Sequence, residues 1–101
     1  MAKGYWIAHV DVSDPEGYKE YQAANAVPFG KHGARFLVRG GASEPPEGNL
    51  RSRHVIIEFK DYATALACYN SPEYASATEK RKDRSAIDIA IVEGYDGVQP
   101  V

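Results

Sequence analysis

Strand and helix signals follow one another along this chain in an order that limits the fold more than any other feature. Runs rich in β-branched and aromatic residues, which are typical of strands, cover residues 5–12, 34–40, 53–60 and 87–92. Helix starts marked by capping residues follow the first run at 13–16 and the third run at Asp61, and a second helical piece opens at 71–73. This order predicts an α+β fold of the ferredoxin-like βαββαβ type, with a four-stranded antiparallel sheet and helices on one face.

Each predicted helix carries an apolar stripe that is expected to face the sheet. At helical spacing the stripes contain Tyr18, Tyr21, Ala24 and Val27 in the first helix and Tyr62, Leu66 and Tyr69 in the second. Pro28 lacks an N–H and disfavours helical geometry at the residue before it, so a kink or break is expected at Val27. Gly33 is placed to end this helix in a left-handed conformation. Residues 41–50 contain two glycines, two prolines and two glutamates and are predicted to form a loop.

Length and composition indicate one ordinary globular domain. The 101 residues carry a net charge of −2, which disfavours non-specific binding to nucleic acid. No segment approaches the ~18 consecutive apolar residues of a membrane helix, and no secretion signal is recognisable. The single cysteine rules out an internal disulfide and suits a reducing compartment. We therefore predict a single cytoplasmic domain over residues 1–101, with a core at about 3–94, a polar tail at 95–101, and no nucleic-acid or membrane partner.

Alternation along the strands divides the side chains between the two faces of the sheet. The first set is uniformly apolar and is assigned to the face under the helices: Trp6, Ala8, Val10, Val12, Phe36, Val38, Val55, Ile57, Phe59, Ile87, Ile89 and Ile91. The second set mixes apolar with ionisable side chains: Tyr5, Ile7, His9, Asp11, Arg35, Leu37, Arg39, His54, Ile56, Glu58, Asp88, Ala90 and Val92. Full exposure to water would be unfavourable for the apolar side chains of this set, and full burial would be unfavourable for its charged side chains. We therefore predict a homodimer whose two mixed faces meet and leave a polar pocket.

Short motifs spread along the chain resemble a known family. They are Lys3–Trp6, Asp14–Tyr18, Arg39–Gly41, Glu47–Gly48, Ile57–Phe59 and Ser71–Tyr74, and in this order they resemble the bacterial family of domains of unknown function numbered 1330, from about Lys3 to Gly94. The resemblance implies the dimeric α+β barrel fold, in which two ferredoxin-like sheets form a barrel across a dimer. Proteins of that broader fold include cofactor-free monooxygenases, small isomerases and lyases, haem enzymes and proteins with no assigned role. The family has no established activity, so no catalytic residue carries over.

His9 and Glu58 on the mixed face are the candidate catalytic residues. They lie on strands expected to be central neighbours, and an imidazole beside a carboxylate is a common acid–base group near neutral pH. The alternative is that the two residues are offset by one register step and are each hydrogen-bonded across the dimer. Asp11 and His54 on the same face are candidates for ligand binding, with Asp88 as a further possibility.

Arg39, Gly40 and Gly41 form a candidate ligand-binding segment at the end of the second strand. An arginine can hold a carboxylate or phosphate bidentately, and glycines let a ligand approach the backbone closely. The alternative is that the glycines form a bulge or turn and that Arg39 pairs with Glu58 or Asp11.

The remaining function classes receive little support from the sequence. The histidines and acids lack the close spacing of zinc motifs, so no metal and no cofactor are predicted. RNA-recognition modules share this topology but stack bases on aromatic residues of the first and third strands, where this chain has only Tyr5. We predict a homodimer that binds an unidentified small molecule on its helix-free face, and the catalytic form of this prediction is a cofactor-free enzyme of the oxygenase, isomerase or lyase type. The alternative is a non-catalytic interaction module whose polar face only specifies dimerisation.

Overall fold

A four-stranded antiparallel sheet forms the frame of the computed structural model, which describes residues 2–100. Its elements in chain order are β1 (Gly4–Val12), α1 (Pro15–Ala24), α2 (Ala26–Lys31), β2 (Arg35–Arg39), β3 (Arg53–Phe59), α3 (Tyr62–Tyr69), α4 (Pro72–Glu79) and β4 (Ser85–Glu93). The strand order is β2-β3-β1-β4, and every neighbouring pair is antiparallel. This confirms the predicted ferredoxin-like βαββαβ fold. Residues 1 and 101, the two ends of the predicted domain, lie outside the described residues.

The helix starts lie where the sequence predicts them because each is determined by a local cap. The capping side chains of Asp14, Asp61 and Ser71 each accept a hydrogen bond from a backbone N–H three residues later. Such a bond satisfies a donor that the helix itself leaves unpaired. The end of the first helical region is also as predicted, since Gly33 has a left-handed φ of 67°.

The first helical region is divided, but the break lies at Asn25 and not at Val27. Pro28 has no N–H to donate to the carbonyl of Ala24, four residues before it, so α1 ends there and α2 begins after Asn25. Val27 consequently points outward and is 62% exposed, whereas the predicted stripe placed it against the sheet.

An aromatic cluster centred on Trp6 fills the space between the sheet and the helices. Trp6 is 2% exposed. Its ring centroid lies within 5.6 Å of the ring centroids of Phe29, Phe59, Tyr69 and Tyr74. Its indole N–H donates to the carbonyl of Ala65 on α3 at 2.9 Å. A buried indole needs such a partner, so this bond determines where α3 sits on the sheet.

The side of α3 that packs on the sheet differs from the prediction. Tyr62 and Tyr69 are 38% and 40% exposed, whereas Ala65 and Cys68 are fully buried. The small side chains let α3 approach the sheet closely enough for its backbone to meet Trp6. Tyr69 of the predicted stripe still packs its ring against Trp6, but the side of α3 that lies closest to the sheet consists of small residues because close packing requires them there.

β2 contains a bulge that reverses the alternation of its last residues. The pairing with β3 is regular through Phe36, and then Val38 takes the next position, opposite Ile56. Leu37 is therefore an extra residue in β2. Val38 lies on the helix-free face and Arg39 on the helix side, which is the reverse of the prediction for both residues.

The observed register defines the two faces of the sheet. The covered face, under the helices, consists of Trp6, Ala8, Val10, Val12, Phe36, Arg39, Arg53, Val55, Ile57, Phe59, Ile87, Ile89 and Ile91. The open face consists of Tyr5, Ile7, His9, Asp11, Arg35, Val38, His54, Ile56, Glu58, Asp88, Ala90 and Val92.

Candidate functional site

A polar row crosses three adjacent strands of the open face. His9 of β1 pairs in register with His54 of β3 on one side and with Asp88 of β4 on the other. The Nδ1 atoms of the two histidines are 2.8 Å apart, so one Nδ1 must donate a hydrogen and the other must accept it. The structure therefore brings together two of the predicted site residues, His9 and His54, as a hydrogen-bonded pair.

Arg51 binds two acids at the same end of the open face. Its Nε lies 3.0 Å from Asp88 and its Nη1 lies 3.1 Å from Asp11. Asp11 also accepts from the backbone N–H of Ser52 at 2.9 Å and from the Ser52 hydroxyl at 3.2 Å. The backbone hydrogen bond from Ser52 and the neighbouring guanidinium lower the pKa of Asp11 below its ordinary value. These contacts tie the end of the 41–50 loop to the sheet.

Glu58 lies toward the other end of the open face and does not meet His9. It pairs in register with Tyr5, whose hydroxyl donates to it at 3.3 Å. Its other carboxylate oxygen is 3.9 Å from the guanidinium of Arg35. His9 is opposite position 54 of β3 and not position 58. The expected acid–base contact between His9 and Glu58 is therefore not formed within residues 2–100, and the two are further apart than the single register step of the alternative.

An apolar row crosses all four strands of the open face beside the polar one. In register across the sheet it contains Val38, Ile56, Ile7 and Ala90. Val38 is 38% exposed, and Val92 at one end of β4 is 43% exposed. Contiguous exposed apolar surface of this kind is typical of an interaction surface.

A cavity of about 40 Å³ lies on the covered face, between the sheet and helices α1, α2 and α4. Its wall is mostly aromatic and aliphatic: Trp6, Ala8, Val10, Tyr18, Tyr21, Gln22, Asn25, Phe29, Phe36, Arg39, Arg53, Val55, Ile57, Tyr74, Ile87 and Ile89. An ordered water needs about 10–15 Å³ of such space, so the cavity has room for a few non-hydrogen atoms. This enclosed space is on the opposite side of the sheet from the pocket that the sequence predicted.

Arg53 brings a guanidinium to this cavity. The guanidinium lies against the backbone of Gly40, in the space that a side chain at position 40 would fill. Gly40 has a φ of 70°, which favours glycine, and its N–H donates to the carbonyl of His54 at 2.9 Å. The Nε of Arg53 is buried and has no hydrogen-bond partner within the described residues.

Arg39 reaches the same cavity from β2. Its guanidinium stacks over the ring of Phe36, 4.1 Å from the ring centroid. The alternative ion pairs with Glu58 or Asp11 are not formed, because those acids pair with Arg35 and Arg51 on the open face. Of the predicted ligand-binding segment, Arg39 thus borders the cavity, Gly40 contacts it only through the Arg53 guanidinium, and Gly41 lies in the exposed loop.

Tyrosines from α1 and α4 complete the cavity wall. The hydroxyl oxygens of Tyr21 and Tyr74 are 2.6 Å apart and buried. Burial and the neighbouring Tyr21 hydroxyl raise the pKa of Tyr74 far above its ordinary value, and burial raises that of Tyr18. The guanidinium of Arg81, 5.3 Å from the centroid of the Tyr21 ring, opposes part of these shifts. Tyr18 and Tyr74 therefore stay protonated near neutral pH and can donate hydrogen bonds.

Other groups with reactive potential are not arranged for chemistry. Burial raises the pKa of the Cys68 thiol to about 12, and its Sγ lies 3.7 Å from the carbonyl of Pro28, so the thiol stays neutral. Within residues 2–100 no three histidine, cysteine or acidic side chains are grouped to hold a metal ion. Over the same residues, no helix combines the length and the hydropathy needed to cross a bilayer.

Arg53 and Arg51 were not among the candidates that the sequence suggested. Arg53 could have been found, because alternation places it on the same face as Val55, Ile57 and Phe59, at the end of an otherwise apolar series. Arg51 lies in the loop before β3, where no periodic pattern predicts a contact with Asp11.

Comparison with known proteins identifies a family and a fold. The sequence profile of a domain of unknown function, DUF1330, matches residues 3–95, which confirms the resemblance inferred from the motifs. A search of curated proteins finds no match.

Solved structures with the same fold are distant in sequence. RPA0582, a protein of unknown function from Rhodopseudomonas palustris, has a TM-score of 0.68 and 15% identity over 98% of this chain and 85% of its own. SnoaB, a cofactor-independent oxygenase from Streptomyces nogalater, has a TM-score of 0.63 and 14% identity over 100% of this chain and 98% of its own. A presumed antibiotic biosynthesis monooxygenase from Nitrosomonas europaea has a TM-score of 0.59 and 16% identity over 98% of this chain and 97% of its own. At such identities the likeness establishes the fold, that of the α+β barrel proteins, and no activity.

Proposed function

The chain belongs to the DUF1330 family of domains of unknown function, and from that premise we propose that it is a homodimer that binds a small molecule in the covered-face cavity. The observation that carries this proposal is the half-buried Arg53 side chain at the cavity, whose buried Nε has no partner within residues 2–100. A buried donor without an acceptor costs about 1–3 kcal/mol. A bound molecule would supply the missing acceptor.

The wall of the cavity has the general character of a small-molecule site. Most of its side chains are apolar or aromatic, and a few polar groups converge on it from different elements. Such a combination gives a ligand apolar contact and a defined orientation. The polar groups come from β2 and β3 through Arg39 and Arg53, and from α1 and α4 through the tyrosine hydroxyls.

The open face is the proposed dimer interface. Its apolar row would be removed from water by a second copy, which is favourable. Its ionisable groups already have partners within one chain: His9 with His54, Asp11 and Asp88 with Arg51, and Glu58 with Tyr5 and Arg35. Burial against a partner therefore leaves no charged group without a partner, and burial of an unpaired charge would be costly. On this proposal the predicted site residues His9, His54, Asp11 and Glu58 specify the pairing of subunits.

A cofactor-free enzyme is a second candidate function, and the Tyr21–Tyr74 hydroxyl pair favours it. SnoaB, which shares the fold, is a cofactor-independent oxygenase, and chemistry without a cofactor must use side-chain groups for proton transfer. The protonated Tyr74 hydroxyl in the cavity wall could donate to an oxyanion that forms on a bound substrate. Tyr74→Phe would then abolish product formation, followed by mass spectrometry, while binding persists.

Occupancy of the cavity can be measured through Trp6. It is the single tryptophan of the chain and lines the cavity, so its indole N–H gives one unambiguous NMR signal. We expect some members of a small-molecule library to shift this signal and to raise the thermal midpoint. Val55→Ile, which adds one methylene to the cavity wall, should weaken that binding, while Val38→Ile on the open face should not. A library that leaves the Trp6 signal unchanged would contradict the proposed site.

The oligomeric state can be measured by analytical ultracentrifugation. We expect a dimer, and we expect Ile56→Lys to give a folded monomer because it places a charge in the middle of the apolar row. Val98→Lys, at a residue 89% exposed outside the strands, is the matched control and should remain dimeric. A monomeric wild-type protein at micromolar concentration would refute the proposed interface.

A further inference from the structure

We infer that the covered-face cavity selects a small monocarboxylate, whose charged group is held by Arg53 and Arg39. This inference rests on the proposed small-molecule function and names the class of its ligand. It follows from the charge of the cavity wall, the support given to the two guanidinium groups and the size of the enclosed space.

The charge of the cavity wall is positive and uncompensated. Arg39 and Arg53 both border the cavity, and no aspartate or glutamate among the described residues does. Neither arginine forms an ion pair within residues 2–100, whereas Arg35, Arg51 and Arg84 each pair with at least one acid. Arg53 is half-buried and Arg39 is exposed, and a cation in a partly desolvated setting such as that of Arg53 is stabilised by an anion that accepts its hydrogen bonds. The missing anion is therefore expected from outside the chain.

The two guanidinium groups are held in place before any ligand arrives. The Arg53 guanidinium lies against the backbone of Gly40, in the space left by the missing side chain. The Arg39 guanidinium lies over the ring of Phe36, 4.1 Å from the ring centroid. The planar donor fork of arginine matches the two oxygens of a carboxylate. Holding the forks in place in advance reduces the entropy lost on binding.

The enclosed volume limits the rest of the ligand. The cavity of about 40 Å³ exceeds the roughly 30 Å³ that one water occupies in the liquid and is well below the roughly 150 Å³ of a cavity that holds benzene. An aliphatic tail of a few carbon atoms fits inside the wall, whereas a ring would extend out of the cavity through its open side. A phosphate, with oxygens on every side, would leave some of them against apolar wall, where an unpaired charged oxygen is costly.

The test is a titration of the wild-type protein with butyrate, with butyramide as its neutral counterpart, and with inorganic phosphate, followed by the Trp6 indole signal. We expect butyrate to bind at least about 10-fold more tightly than butyramide and phosphate to leave the signal unchanged. Equal binding of butyrate and butyramide would overturn the charge selection but leave the proposed small-molecule site intact. A response to phosphate alone would overturn the carboxylate class. No response to any of the three would overturn this inference, whereas the proposed function fails only if the library also leaves the Trp6 signal unchanged.

Substitutions of Arg53 distinguish the contribution of its charge from that of its planar set of hydrogen-bond donors. Arg53→Gln should remove the preference for butyrate over butyramide, and Arg53→Lys should retain only part of it because lysine lacks the fork. Arg35→Gln, which changes an arginine of the open face, is the control and should bind butyrate as the wild type does. Circular dichroism establishes that each variant is folded, and the lysine variant serves if the glutamine variant is not. Butyrate selectivity that survives in the folded Arg53 variants would refute the role of Arg53.

Discussion

The two faces of the sheet treat charge in opposite ways. On the open face the acids and histidines have partners within the chain, as in the His9–His54 pair and the contacts of Arg51 with Asp11. On the covered face Arg39 and Arg53 have no acidic partner among the described residues, although they adjoin a more apolar environment. Charge that is already neutralised suits a surface to be covered by another protein. Charge that is left unpaired beside a cavity suits a surface to be completed by a ligand.

The largest expected difference between the faces is in packing. Trp6→Ala removes the ring at the centre of the covered-face cluster and should lower the free energy of unfolding by about 3–5 kcal/mol. Val92→Ala on the open face should lower it by less than about 1 kcal/mol, because this side chain is 43% exposed. Urea denaturation at one fixed protein concentration measures both. Comparable losses for the two variants would remove the distinction between the faces.

A smaller difference is expected where α3 meets the sheet. Ala65→Leu inserts a large side chain at a fully buried position and should cost about 1–3 kcal/mol of unfolding free energy. Ala67→Leu, on the exposed side of the same helix, should change it by no more than about 0.5 kcal/mol. If urea denaturation shows Ala65→Leu to be as stable as its control, then the close approach of α3 does not require a small residue there.

The Cys68 thiol should respond to pH as a buried neutral group. The unfolded chain ionises this thiol from an ordinary value of 9.0, whereas the folded protein resists ionisation up to about 12. Stability from this source is fully present below 9.0 and declines as the pH rises between the two values. Urea denaturation across this range should show a steeper decline for the wild type than for Cys68→Ala. Identical pH profiles would mean that solvent reaches the thiol in the folded state.

The smallest effect is expected at the charged end of the open face. Arg51→Gln should leave the free energy of unfolding nearly unchanged but speed hydrogen exchange at the Ser52 amide, which donates to Asp11. Because the pKa of Asp11 is lowered in the folded state, this contact is stabilising above the ordinary carboxyl range and is lost as the pH falls through the lowered pKa. NMR measures the exchange rate of the Ser52 amide hydrogen, and the Gly40 amide serves as the internal control. Unchanged exchange at Ser52 would show that Arg51 does not hold the loop.

Features of this fold that depend on neighbouring residues could be predicted from the sequence. The caps at Asp14, Asp61 and Ser71 bond within three residues of themselves, so their local sequence is sufficient. The same holds for the left-handed Gly33 at the end of the first helical region. The order of these local signals was enough to predict the ferredoxin-like βαββαβ fold, because few topologies accommodate it.

Features that depend on register and on close packing could not be predicted. The contact expected between His9 and Glu58 required a register that only the whole sheet determines, and β1 pairs His9 with His54. The sheet-facing side of α3 depended on the space available beside Trp6 and not on hydrophobicity alone. The cavity is a gap between elements and has no signature in any one of them.

The bulge at Leu37 determines what the deletion of a single residue would do to β2. Deletion of Leu37 would restore regular pairing in β2 and leave Val38 opposite Ile56 and Arg39 opposite Val55, without any substitution. Arg39 would still border the covered-face cavity, and Val38 would still lie in the apolar row of the open face. Relatives whose second strand lacks the extra residue would therefore present equivalent side chains on both faces, and a correct alignment with them would place its gap at Leu37.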